Sequence, residues 1–239
     1  GDALAEAGVE LLVTIIPSKS RIVTEPLPAR WARLGLHTRY DTAIARLADR
    51  GTTAIDLRNA LGSIPDPFLR TDTHWTPSGA RQVAEAIADA ASMLGLAAEV
   101  RRTSYETRAA AVIEVTGDLI SFVPVGPWTP LLGIGPQSIQ TTETIQISAP
   151  SLGLFDTPQI PVTLVGTSFS ADERWDFIGE LKRALGMDVL NISVEAVGPF
   201  VPMVDYVTGP VLAEVRPEFV VWEIPERYLT LPGVEAPDL

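Results

Sequence analysis

The chain has 239 residues, 46% of them hydrophobic and 20% charged, which suits a globular protein with a sizeable core and excludes wholesale disorder. Its formal charge of −12 argues against nucleic acid or an anionic membrane surface as the main partner, because both need clustered Lys and Arg. The absence of Cys excludes disulfides, thiolate metal sites and cysteine nucleophiles, and no apolar run is long enough to span a bilayer.

The opening "GDALAEAGVE" carries no Met, no basic n-region and no apolar h-region. The expectation is a mature or trimmed chain whose targeting segment lies outside it, and the lack of Cys suits export. Residues 9–16 form the first nearly continuous β-branched run, read as a buried strand. Lys19 and Arg21 in "IPSKSR" follow it directly, placed either to meet a sugar carboxylate or hydroxyl or to form a solvated basic turn. A helical pattern covers 42–50 and a second strand covers 53–57. The clearest helix is 77–94, with Thr76 as N-cap and Pro77 at its first position. Residues 101–161 break the rhythm; rich in Gly, Pro, Thr and Ile, they read as an insertion of short strands and loops forming a wall or lid. A third strand at 162–165 is followed by a helix at 172–185, ended by Gly186. A strand at 189–194, a looser helix at 201–215 and a last strand at 219–224 complete the chain. Strands alternating with helices imply parallel βαβ units. The expected fold is a single domain over 1–239, a three-layer α/β/α sandwich on a mainly parallel sheet of about five strands, with the 101–161 insertion rich in β and loop.

In open parallel sheets, ligands gather at the carboxyl ends of the strands, so the residues just after each strand matter most. Ser168 follows Gly166–Thr167 after the third strand. A sharp strand-to-helix turn there would lift its hydroxyl into the crevice and aim backbone N–H groups at a developing oxyanion. The motif is Gly-x-Ser-x-Ser, without the closing Gly of the hydrolase signature, and a plain helix cap is the competing reading, for which Ser170 is the better placed. The second half of a reactive set lies in "LRTDTHWTPSGA". A serine needs a neutral imidazole to take its proton, and the imidazole needs a carboxylate on its other nitrogen. Spacing of i, i+2 lets Asp72 reach His74 Nδ1 locally, with Nε2 left pointing outward. An ordinary polar turn is one alternative. A metal site is the other; it would rest mostly on carboxylates, since His37 is the only other histidine. Trp75 reads as core packing beneath the turn, with a sugar-stacking platform as the alternative.

The motifs "TDTHWTPSGA", "LVGTSFSADERWD", "LNISVEAVGPF" and "VVWEIPERYL" together resemble the AlgX/AlgJ-type branch of the SGNH hydrolase-like superfamily, the periplasmic polysaccharide O-acetyltransferases of the bacterial alginate system and its relatives. The resemblance covers almost the whole chain, and the motifs fall in the family's order. In that family the Asp-x-His pair precedes the serine, and Asp72, His74 and Ser168 stand in the same permuted order. The resemblance implies Ser168 as nucleophile, His74 as general base and then acid, and Asp72 as its orienter. It also implies a polysaccharide acceptor, a periplasmic location, no cofactor or metal, and an acetyl donor delivered through a membrane-bound O-acyltransferase partner. For the oxyanion, the Ser168 N–H is the expected first donor. Gly198 or Asn191, in the loop after the fourth strand, would offer the second; otherwise Gly198 is a turn before Pro199 and Asn191 is structural. Glu226 and Arg227 are expected to pair and steady the crevice, and Tyr228 to stack on a sugar. A carbohydrate acetyl-esterase with the same triad, a glycan-binding scaffold and a metal-dependent hydrolase stand as alternatives.

Overall fold

The computed structural model describes residues 2–23, 37–100, 102–122, 126–128, 131–132, 134–148 and 160–230. In chain order its elements are α1 (Asp2–Glu6), β1 (Glu10–Ile16), α2 (Lys19–Ile22), α3 (His37–Asp49), β2 (Thr53–Asp56), α4 (Arg58–Gly62), α5 (Pro77–Met93), β3 (Ser104–Val115) and β4 (Gln137–Ser148). There follow β5 (Val162–Val165), α6 (Ser168–Ala171), α7 (Phe177–Leu185), β6 (Val189–Asn191), α8 (Phe200–Thr208), α9 (Val211–Val215) and β7 (Phe219–Pro225).

Side-chain alternation decides the layering. Along β1, Leu12 and Ile16 turn to one face while Val13 and Ile15 turn to the other, and all four are buried. Along β7, Phe219 and Val221 share the first face, and Val220, Trp222 and Ile224 the second. A strand buried on both sides must be covered twice, and the helices do this. One face packs against Leu61 of α4, Val83 and Ile87 of α5, and Leu181 and Leu185 of α7. The other packs against Leu4 of α1, Tyr40 of α3, Met203 and Tyr206 of α8, and Leu212 of α9. The five-stranded sheet runs β2-β1-β7-β5-β6, with every neighbouring pair parallel. The expected three-layer α/β/α sandwich is what forms.

Four expectations need correction. The insertion is not a set of short strands: β3 and β4 are twelve residues each and pair antiparallel, with a register slip between Ala109 and Val112. Parts of 101–161, namely 101, 123–125, 129–130, 133 and 149–159, lie outside the described residues. The helix expected at 172–185 is a 3-10 turn at Glu173–Trp175 followed by α7, and the short α6 ahead of it is unexpected. The break is Asp176, which sits in the left-handed region (φ 50°) with its carboxylate accepting a 2.8 Å hydrogen bond from Thr144 Oγ1 of β4. The looser helix at 201–215 is two helices, because Pro210 has no N–H to continue the ladder. The strand at 189–194 ends at Asn191, although Ile192 and Val194 still donate to the carbonyls of Leu164 (2.9 Å) and Gly166 (3.1 Å). Among the described residues no helix is long and apolar enough to cross a membrane.

Candidate active site

The loop ahead of α5 folds back on itself. Leu69 N–H donates to the His74 carbonyl and Thr76 N–H to the Pro67 carbonyl, each at 3.0 Å, with Phe68 and Trp75 bridged across. Thr76 then caps α5, its hydroxyl accepting from Gly79 N–H at 3.2 Å, and Pro77 opens the helix. Trp75 is fully buried beneath the loop, edge-on to Phe169. That places it in the core, as its packing reading requires. The residues between, 70–73, form the tip that carries Asp72.

Two distant elements hold this tip. Lys19 Nζ donates to the carbonyls of Leu69, Arg70 (2.7 Å) and Asp72 (3.3 Å). It is therefore neither a solvated turn residue nor aimed at a sugar, because its donors are spent on backbone. Its burial lowers the ammonium pKa, an effect opposed by the charges of Asp72 and Asp118. From the other side, the chain leaving β3 crosses the tip closely: Leu119 N–H donates to the Thr71 carbonyl at 3.1 Å. A Cβ on Gly117 would lie 1.9 Å from that carbonyl oxygen, so only glycine fits there.

Asp72 and His74 are bonded as a unit. His74 Nδ1 lies 2.6 Å from Asp72 Oδ1, and the His74 backbone N–H donates to the same oxygen at 2.9 Å. Asp72 Oδ2 accepts from Asp118 N–H at 3.3 Å. Burial alone would raise the Asp72 pKa. The hydrogen bonds from the His74 ring and backbone, the His74 charge and the Asp118 N–H outweigh it and hold the carboxyl well below its ordinary range. Ionised Asp72 only accepts, so Nδ1 carries the proton and Nε2 of the neutral ring is left as an acceptor. That Nε2 lies 2.8 Å from Ser168 Oγ, at the start of α6 after β5. The ring is steadied by Phe169 (centroids 4.7 Å apart) and by Trp175, stacked at 6.3 Å.

Ser168 is the first residue of α6, directly after the turn at the end of β5. Thr167 caps α6, its hydroxyl accepting from Phe169 N–H at 3.5 Å, and the turn that starts after Asp172 is capped by Asp172 itself, not by Ser168 or Ser170. Ser170 is buried and donates to Glu223 at 3.1 Å. Thr167 N–H is taken by Glu223 Oε2 at 2.7 Å, while Ser168 N–H, as the first amide of α6, lies ahead of any i−4 carbonyl within the helix.

The remaining candidates fall differently from expectation. Asn191 Nδ2 donates to the Ser170 carbonyl at 3.0 Å and its Oδ1 accepts from Ser193 N–H at 3.1 Å. Its amide is committed to holding the serine turn, which corrects the oxyanion-donor reading in favour of the structural one. Gly198 has φ +76° and packs on the Tyr228 ring, which a Cβ would approach to 3.1 Å; it is a turn glycine serving that contact. Glu226 does not pair with Arg227. It accepts two hydrogen bonds from Arg21, with Nε at 3.0 Å, and one from Ser18 N–H at 2.8 Å. Burial would raise the Glu226 pKa, and the Arg21 and Ser18 hydrogen bonds reverse it. The Arg227 guanidinium instead lies over Phe169 (5.6 Å) and Tyr228 (5.2 Å) and reaches Thr73 Oγ1 at 3.4 Å. Glu223, fully buried in β7, escaped the sequence reading; its signal is a lone carboxylate inside the apolar run "VVWEI". The side chain of His37 lies outside the described residues.

A cleft of about 350 Å³ is lined by Pro17, Lys19, Leu119 and Arg227 among others, and by Thr73 and Phe169, the chain neighbours of His74 and Ser168. Asp72, His74 and Asp118 also bring ligand-type atoms within 4.8 Å of one another. These atoms are already engaged, Asp72 with His74 and the Asp118 carboxylate with Thr73 N–H (3.2 Å) and Oγ1 (3.1 Å), which favours a hydrogen-bonded relay over a ligand set.

The family model described as the SGNH hydrolase-like domain of acetyltransferase AlgX matches residues 1–226. The probable alginate O-acetylase AlgJ of Pseudomonas putida is 37% identical over 240 residues, covering 96% of this chain and 61% of that protein. The chain thus spans less than two thirds of that relative's length. Among solved structures, the O-acetyltransferase domain of Pseudomonas putida AlgJ matches with a TM-score of 0.83 at 36% identity, over 95% of this chain and 78% of that one. Pseudomonas aeruginosa AlgX matches with a TM-score of 0.78 at 25% identity, over 94% and 54% respectively.

Proposed function

The chain belongs to the family of SGNH hydrolase-like domains of acetyltransferase AlgX, and from that premise we propose that it moves an acetyl group onto hydroxyls of a bacterial exopolysaccharide by way of an acetyl-serine. The observation that carries this reading is the unbroken hydrogen-bonded line from Asp72 through His74 to Ser168. His74 Nε2 takes the Ser168 proton as Oγ attacks the carbonyl carbon of an acetyl ester. The carbonyl electrons move onto oxygen, where the Ser168 N–H meets the negative charge. Collapse of the tetrahedral intermediate breaks the bond to the donor's alkoxy oxygen, and His74 returns its proton there. A sugar hydroxyl then enters the same position, loses its proton to His74, and attacks the acetyl carbon. The second collapse breaks the bond between the acetyl carbon and Ser168 Oγ, His74 returns its proton to Oγ, and the acetylated sugar leaves. Activation of the serine and stabilisation of the oxyanion are each worth roughly 10²-fold or more. Asp72 keeps the ring in the one tautomer and orientation that this cycle needs.

Alginate is the first acceptor to test, because the AlgJ relatives are named as probable alginate O-acetylases. A chain of charge −12 would repel a uronate polymer unless basic groups gather at the site. Arg227, over Phe169, is one such group; Arg174, 4.7 Å above Trp175, is already ion-paired with Asp172. A periplasmic location and delivery of the acetyl group by a membrane-bound O-acyltransferase belong to the same proposal. The experiment is incubation with a chromogenic acetyl ester, with and without an oligosaccharide acceptor. Acetylated oligosaccharide supports transfer; free acetate alone, whatever the acceptor, would make the protein an esterase.

A further inference from the structure

Among the described residues, Glu223 is the one fully buried carboxylate in contact with the serine turn, and the cycle above makes no use of it. It lies near the end of β7, beside Thr14 of β1 in the sheet register, on the face that carries Phe219 and Val221. Its two oxygens gather three donors from the turn that holds Ser168. Thr167 N–H donates at 2.7 Å, Thr167 Oγ1 lies at 3.1 Å and Ser170 Oγ at 3.1 Å. The carboxylate reaches them only because residue 166 is glycine: a Cβ there would lie 2.5 Å from Glu223 Oε2. Asn191 completes the arrangement by holding the Ser170 carbonyl from β6.

We propose that Glu223 is a positioning residue for the nucleophile: it clamps the turn at Thr167 and at Ser170, on both sides of Ser168, and so fixes where Ser168 Oγ and the Ser168 N–H point. The inference rests on the acetyl-serine reading. Thr167 N–H, drawn down to the carboxylate, cannot rotate into the crevice, so the peptide that follows presents the Ser168 N–H there instead. Thr167 Oγ1 is at once a donor to the carboxylate and the cap of α6, so the clamp also sets the start of the helix. Among the described residues, Ser168 Oγ makes one hydrogen bond, to His74. Small displacements at a reacting atom are expensive; about 1 Å costs roughly 100-fold in rate.

The state of the carboxyl fits this role. Burial pushes Glu223 above its ordinary range, with the Thr167 and Ser170 hydrogen bonds and the Arg227 charge offsetting part of the rise. A glutamine offers the same shape, one acceptor for Thr167 N–H and one donor group for the hydroxyls, and is permanently neutral.

The test compares wild type, Glu223→Ala and Glu223→Gln in two assays: the rate at which a fluorophosphonate labels Ser168, and turnover of a chromogenic acetyl ester. The result expected is labelling and kcat about 10- to 100-fold slower in Glu223→Ala with KM little changed, and recovery to within about threefold of wild type in Glu223→Gln. A role confined to stability would lower the unfolding midpoint and leave the labelling rate of the folded protein alone. Glu223→Ala labelled as fast as wild type, or Glu223→Gln as slow as Glu223→Ala, would overturn the proposal. Should Glu223→Ala fail to fold, Thr167→Val keeps the backbone N–H and removes the hydroxyl contact. It is expected to label several-fold slower, and an unchanged rate would overturn the proposal. Wild type unlabelled at Ser168 would overturn the acetyl-serine reading itself, an outcome distinct from a labelled wild type with an indifferent Glu223.

Discussion

Replacing Asp72 by Asn removes the charge from the relay while keeping its shape, and the outcome can be worked from the hydrogen bonds. Asp72 accepts from three donors: the His74 ring and backbone N–H groups on Oδ1, and Asp118 N–H on Oδ2. An amide has one acceptor oxygen and one donor nitrogen. If the oxygen faces His74, the amide N–H₂ is set against Asp118 N–H. If it faces Asp118, the N–H₂ meets the His74 backbone N–H and drives the ring into the tautomer with its proton on Nε2, where it cannot accept from Ser168. Either arrangement leaves a mismatched donor, costing about 1–3 kcal/mol of stability. The wrong tautomer and the lost charge together cost about 10⁴-fold in kcat, or about 5 kcal/mol of transition-state stabilisation. Initial rates on a chromogenic acetyl ester, with a urea unfolding curve on the same sample, measure both. Asp72→Asn turning over within about threefold of wild type would refute the argument.

The depressed Asp72 pKa makes a second prediction. A carboxyl whose folded pKa lies below its ordinary value of 3.8 contributes stability that is present above that value and lost as pH falls through the folded one. The unfolding midpoint of wild type should therefore drop more steeply below about pH 4 than that of Asp72→Asn, and Asp72 should impose no limb on activity between about pH 5 and 8. Lys19→Met leaves three carbonyls of the tip without their donor; it should cost about 1–3 kcal/mol in urea unfolding and lower kcat about tenfold, because the displaced tip carries Asp72. Gly117→Ala sets a Cβ against the Thr71 carbonyl, so the backbone must shift and kcat should fall by at least about tenfold, read on the same ester.

Local chemistry was legible in the sequence and long-range chemistry was not. The strands show as β-branched runs because burial on both faces removes the usual alternation, and α5 announces itself through Thr76 and Pro77. The juxtaposition of Asp72 with His74 is likewise local, two residues apart in one turn. The break at Asp176 could not be read, because what holds its left-handed backbone is Thr144, from a strand in the insertion. Lys19 drew notice for its charge, but its partners lie some fifty residues on. Glu226 sits next to Arg227 in sequence yet pairs with Arg21 from the opposite end of the chain. Adjacent opposite charges suggest a pair, and only the sheet order, which sets β7 beside β1, shows which arginine is near.

The account stands on an acetyl group resting on Ser168 between donor and sugar. The most direct measurement is mass spectrometry of the protein quenched in acid during turnover of an acetyl ester, followed by addition of an oligosaccharide acceptor. The account predicts one added acetyl group, mapped to the peptide containing Ser168, absent in Ser168→Ala, and lost as acetylated oligosaccharide accumulates. Acetylated oligosaccharide formed at an undiminished rate by Ser168→Ala, or an adduct on any other residue that turns over in its place, would contradict it.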